Sequence, residues 1–215
     1  MCELELKDVC LADGGALSAP LSVRLGKGSC CLVGGDGALL TRLTDAVVGL
    51  GPVASGYVTI DGEPVTQRSA PAFRHLFSYI PHDVHMPPLT VGSLVDSFCR
   101  LGLNRRVKVE RSELLTLWEE VLPDAPQFDD RADALSPGRL RRLMLSMAWL
   151  FGRPFLVADQ IADGMTADEA GLTTSFLRRL ADRGTALLLT AAEDDTALGR
   201  CSGNQVAPEL RWLPV

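Results

Sequence analysis

The feature that most constrains this chain is a set of short runs that are apolar at every position. CCLV at 30–33, FLVA at 155–158 and ALLL at 186–189 do not alternate. A strand with one face in water alternates apolar and polar residues, whereas a strand apolar throughout is covered on both faces. The stretches between these runs have another period. LRRLMLSMAWLFG and DEAGLTTSFLRRLADRG carry apolar residues three and four apart, the spacing of a helix with one buried side. Buried strands alternating with helices predict an α/β fold: a mostly parallel sheet with helices on both faces.

The N-terminal part is patterned differently. ELELKDV at 3–9 alternates like a half-buried strand, and LSVRL at 21–25 does the same. The turn Gly26-Lys27-Gly28 joins LSVRL to SCCLVG, which spells a hairpin. GYVTIDGEPV turns at Asp61-Gly62, and FSYI at 77–80 reads as a further strand. These elements predict an N-terminal antiparallel β subdomain. From about 87 to 134 the pattern becomes helical, in VGSLVDSFCRLG and SELLTLWEEVL, which predicts an inserted helical subdomain. The tail QVAPELRWLPV is expected to form a last edge strand. We read residues 1–215 as one domain, with 47% hydrophobic residues to supply its core.

Several function classes can be set aside. The net charge is -6, and Arg139, Arg141 and Arg142 sit among apolar residues instead of on a basic face, so nucleic acid is not expected as a partner. The longest apolar stretch, Leu143 to Gly152, is about half the roughly 20 residues needed to span a bilayer. With a charged start, MCELELKD, the expected location is cytoplasmic or peripheral on a membrane. The six cysteines form no CxxC pair and read as reduced thiols. No Cys or third His lies near His82 and His85, which argues against a metal site.

The strand CCLV runs into Gly34, Gly35, Asp36, Gly37, Ala38, Leu39, Leu40 and Thr41, followed by a helical pattern. Strand, glycine-rich loop and helix is the setting of a phosphate-binding loop, G-x-x-x-x-G-K-[ST]. Gly34 matches the first Gly and Thr41 the Ser/Thr, but Leu39 stands for the second Gly and Leu40 for the Lys. A decayed phosphate loop and an ordinary strand–turn–helix fit this stretch equally well. Gly26-Lys27-Gly28-Ser29 also contains a GK pair, but it precedes its strand and reads as a turn.

Further stretches fall in order. LSPGRLRRLMLSMAWLFGRPFLVADQ resembles the run from the signature motif LSGGQ to the Walker B strand of ABC ATPases. Ser136 and Asp159 take the two landmark places, 159 − 136 = 23 residues apart. FSYIPHD resembles the Q-loop region, LTVGSL the segment after it, and TALLLTAAED the H-loop strand. The resemblance covers nearly the whole chain and implies the P-loop NTPase fold of an ABC nucleotide-binding domain.

Residue by residue, the resemblance implies a dismantled site. Asp13 falls where the adenine-stacking aromatic belongs, Leu40 where the phosphate Lys belongs, and His82 where the Q-loop Gln belongs. Gln160 replaces the Glu after the Walker B Asp, and Ala191 replaces the H-loop His. The D-loop is blurred into Asp163-Gly164-Met165-Thr166. Ser136 and Gly138 survive from the signature, with Pro137 and Arg139 altered. Thr41 and Asp159 survive as candidate magnesium ligands, the ordinary alternative for Asp159 being a strand-end turn residue. No cofactor is assigned, and any ATP with magnesium is expected to bind weakly. Removing a general base or water-positioning group costs roughly 10²–10⁴ in rate, so losing Lys, Glu and His together implies little hydrolysis.

The resemblance therefore implies a catalytically degenerate subunit docked to a transmembrane permease, with a second nucleotide-binding subunit beside it. The docking surface is expected around His82 to Leu89 and the helix from Val91, where Met86, Pro87, Pro88 and Leu89 offer apolar contacts. Two alternatives stay open. The chain could lend Ser136 and Gly138 to a competent partner in ATP-driven transport, or it could be a soluble interaction protein on the same fold.

Overall fold

The computed structural model describes residues 2–13, 15–104, 107–121, 126–192 and 205–206. In chain order the elements are β1 (Leu4–Cys10), β2 (Ala12–Asp13), β3 (Ala16–Leu17), β4 (Leu21–Leu25), β5 (Cys30–Gly35), α1 (Gly37–Val47), β6 (Ser55–Ile60), β7 (Glu63–Pro64), α2 (Ala70–Phe73) and β8 (Phe77–Ile80). Then come α3 (Val91–Arg100), α4 (Arg111–Val121), α5 (Pro137–Phe151), β9 (Phe155–Ala158), α6 (Ala167–Asp182), β10 (Ala186–Ala192) and β11 (Gln205–Val206).

The apolar runs form a five-stranded sheet in the order β11-β5-β10-β9-β8, and every pair in it is parallel. Burial explains why they do not alternate. In β9, Phe155 and Val157 face one core cluster while Leu156 and Ala158 face another. In β10, Ala186 and Leu188 share the first cluster while Leu187 and Leu189 share the second. Helix α1 covers the first face through Leu39, Leu40, Leu43 and Val47; α5 and α6 cover the second through Leu145, Ala148, Phe176, Leu177 and Leu180.

A four-stranded antiparallel sheet, β4-β1-β6-β7, packs onto the α1 side. It corrects one expectation. β4 and β5 do not pair as a hairpin: β4 pairs with β1 and β5 with β10. The turn between them closes on itself, Ser29 N–H donating to Gly26 O at 3.0 Å, and then passes the chain from one sheet to the other. A twin-glycine turn fixes only a reversal; the apolar face of β4 and the two-sided burial of β5 send them to different sheets. The β6–β7 turn does follow its sequence, with Asp61 and Gly62 both at positive φ.

Helices α3 and α4 pack with the start of α5 around Val91, Leu94, Trp118, Leu140 and Leu143. Of the expected C-terminal edge strand, Gln205–Val206 pairs in parallel with β5; 207–215 lie outside the described residues.

Helix α6 opens on a capping box. Thr166 Oγ1 accepts from Glu169 N–H at 3.3 Å, and the Glu169 carboxylate accepts from Thr166 N–H at 2.9 Å. The Thr166 N–H and the neighbouring Arg142 hold the Glu169 carboxyl below its usual pKa. A depressed carboxylate adds stability above its unfolded pKa of about 4.3, and this is lost as pH falls through the lower folded value. Thr166→Ala should cost about 1 kcal/mol, readable as a shift in urea midpoint at an unchanged slope.

Candidate functional site

The C-terminal ends of β5, β9 and β10 lie side by side, and the residues that follow them meet there. Asp159 follows β9 and is fully buried. Its carboxylate accepts from Thr41 Oγ1 at 2.6 Å and from Thr190 Oγ1 at 2.7 Å. The Thr190 hydroxyl in turn accepts from Gln160 N–H at 2.9 Å. The Gln160 side-chain amide donates to Gly37 O at 3.3 Å, across the loop. Gln160 sits at φ 45°, a left-handed conformation that non-glycine residues seldom adopt. Thr41, Asp159, Gln160 and Gly37 thus form one hydrogen-bonded group. Thr190 completes it; its only sequence signal was a hydroxyl closing the apolar run ALLL.

The loop before α1 does not leave a seat for phosphate. The helix begins at Gly37, and Asp36 is its N-cap, accepting from Leu39 N–H at 3.0 Å. A helix N-terminus attracts anions through its unpaired N–H groups and dipole; here the chain's own carboxylate answers that attraction. Leu39 and Leu40 are both 0% exposed, packed into the core beneath the sheet. Leu40 therefore supplies no cation and points away from any ligand. Gly34 and Gly35 remain within β5, paired with Ala191 and Ala192 of β10, and Ala38 is exposed in the first turn. Asp13, expected at the adenine-stacking position, pairs with Arg42 at 2.8 Å.

These residues do not fit a triphosphate: a carboxylate, not a free N–H, occupies the helix start, and position 40 is a buried Leu. Thr41 and Asp159 are the right donor types for magnesium, but each is already the other's hydrogen-bond partner. Among the described residues no group of three His, Cys, Asp or Glu could hold a metal.

His82 lies apart from this network. It follows β8, and its Nε2 is 3.0 Å from Asp163 Oδ2 in the turn after β9. Ser136 is the exposed N-cap of α5, accepting from Arg139 N–H at 3.3 Å, with Pro137 in the first turn. Gly138 is buried against that same turn after β9: a Cβ there would stand 3.8 Å from Gly164 O and 3.9 Å from Asp163 O. The expected docking groove is differently bounded. A cavity of about 430 Å³ is lined by His82 to Met86, but its far wall is Leu135, Pro137 and Leu140 of the α5 entry, not the helix from Val91. Leu89 packs onto the helical core instead.

A family model described as "ABC transporter" matches residues 19–162, two thirds of the chain. The chain belongs to the ABC transporter family. It is 26% identical over 81% of its length to a ribose import ATP-binding protein of Rubrobacter xylanophilus, and 30% identical over 79% to one of Rhizobium johnstonii. It spans only 38% and 35% of those two relatives. The solved ATP-binding subunit of an ABC transporter superposes with a TM-score of 0.72 at 19% identity, covering 88% of this chain and 79% of that one. That likeness establishes the P-loop NTPase fold of an ABC ATPase domain. Among the described residues of this ABC family member, no helix is long and apolar enough to cross a membrane.

Proposed function

We propose that this chain is an ABC nucleotide-binding subunit with little or no ATP hydrolysis of its own, serving a membrane permease as a structural or regulatory partner. The carrying observation is Leu40, fully buried at the place this reading gives to the phosphate lysine, in the first turn of a helix whose N-terminus Asp36 already caps. Restoring a cation there would mean withdrawing a side chain from the core. Gln160 and Ala191 support the same reading: the amide is a far weaker base than a carboxylate, and the methyl group holds no phosphate. The reading places the chain on the cytoplasmic face of a membrane, beside a second nucleotide-binding subunit. Residues 1–215 act as one domain, with 87–134 as its helical subdomain. The cavity around His82 to Met86 is the docking surface it favours.

A second reading rests on Ser136. It is exposed at the start of a fifteen-residue helix, with Gly138 behind it, so this end can face a nucleotide held by a partner. Turnover of the complex purified with its permease separates the two. The isolated chain is expected to show no magnesium-dependent ATP turnover above blank, and Asp159→Asn, which keeps the shape and an acceptor oxygen, should leave turnover of the intact complex unchanged. Turnover lost on Asp159→Asn in a complex that still assembles with an unchanged Tm would overturn the first reading. Turnover lost only on Ser136→Arg would establish the second.

A further inference from the structure

Arg141 is nearly as buried as a core leucine, 2% exposed, yet it lies in the second turn of α5, one residue beyond Leu140. Burial lowers its pKa, and the Asp163 carboxylate opposes that. Its guanidinium reaches two other segments. Nη1 donates to His82 O at 2.8 Å, in the stretch after β8, and Nη2 donates to Asp163 O, in the turn after β9. The carboxylate that balances it, Asp163, stands 4.0 Å from Nη2 and 3.0 Å from His82 Nε2. Nε has no hydrogen-bond partner among the described residues.

A buried charge is costly unless it is hydrogen-bonded and balanced, and a planar guanidinium presents separate nitrogens in a fixed fork to two carbonyls, where an ammonium has a single nitrogen. A side chain held so expensively for packing alone would be better replaced by an apolar one. We propose that Arg141 is a positioning residue, a cationic bolt that makes the segment after β8, the turn after β9 and the start of α5 move as one body. A displacement of His82 to Met86 is then carried to Ser136 and Gly138 within the chain, with no bound ligand needed to join them. The inference stands whether or not the site after β5 takes nucleotide.

Amide hydrogen exchange and limited proteolysis on the intact chain test it. In Arg141→Met, which keeps the stem and removes the donors and the charge, exchange in 160–165 and the rate of limited proteolysis within 82–86 should rise together, at least tenfold each. The strands β5, β9 and β10 should keep their protection. Arg141→Lys should recover one segment better than the other, since its single nitrogen cannot occupy the places of both Nη1 and Nη2. If Arg141→Met folds poorly, Asp163→Asn serves, because it alters an exposed side chain and leaves the carbonyl; it should loosen both segments at least threefold. A rise in only one segment, no rise in either, or a uniform rise through all the strands would overturn the proposal.

Discussion

Leu40→Lys, which puts a lysine at the position that the proposed reading gives to the lysine of a phosphate-binding loop, is expected to unfold the protein more readily and to confer no affinity for magnesium-ATP. Leu40 is 0% exposed and packs among Leu39, Leu43, Val33 and Val157. An ammonium placed there loses its hydration with no carboxylate supplied in return, at a cost of several kcal/mol. For a domain of this size each kcal/mol moves Tm by roughly 2–4 °C, so a fall on the order of 10 °C is expected. The sign of the pH dependence follows. Burial lowers the folded pKa of the new lysine below its unfolded value of about 10.4, so the penalty is full below the folded pKa, is still present at neutral pH and shrinks as pH rises toward 10. Calorimetry from pH 7 to 10 measures both effects. A variant as stable as the parent that binds magnesium-ATP would show that the loop can turn Leu40 outward, and would remove the main support for a degenerate site.

Trp118→Ala should cost about 3–5 kcal/mol, the range for truncating a large buried aromatic. Trp118 is 0% exposed, donates through Nε1 to Ser146 Oγ at 2.9 Å and stacks on Phe128 with ring centroids 5.1 Å apart. It joins α4 to α5, so its loss should leave the helical segment less protected than the parallel sheet. The Ser146 hydroxyl still donates to Leu143 O, so the partner is not orphaned as a donor. Chemical denaturation gives the total, and exchange in 111–119 against β9 gives its distribution. A loss below about 1 kcal/mol would mean that α4 is not anchored there.

Most of the scaffold was legible because burial writes a period into the sequence. Runs such as FLVA and ALLL are apolar throughout because the sheet is covered twice, and FSYI ended as a strand at the positions expected. The hairpin across Gly26-Lys27-Gly28 was misread because turn residues specify a reversal and not which sheet receives the next strand. Arg141 and Arg142 were visible as charges in an apolar helix, but nothing local says that one reaches two backbone carbonyls and the other Glu169. Thr190 gave almost no signal, a single hydroxyl whose partner is 31 residues away.

At the glycine-rich loop the division is plainest. The sequence by itself determined that Leu40 carries no charge, that residue 160 is an amide and that residue 191 ends in a methyl group. Those are properties of side chains, readable without coordinates. Only the tertiary structure decided that Leu39 and Leu40 turn into the core, that Asp36 closes the helix start and that Thr41 and Thr190 satisfy Asp159. The Asp36 cap is local, three residues from its donor, but Asp159 is completed by hydroxyls 31 and 118 residues away, contacts that exist only once the strands are assembled.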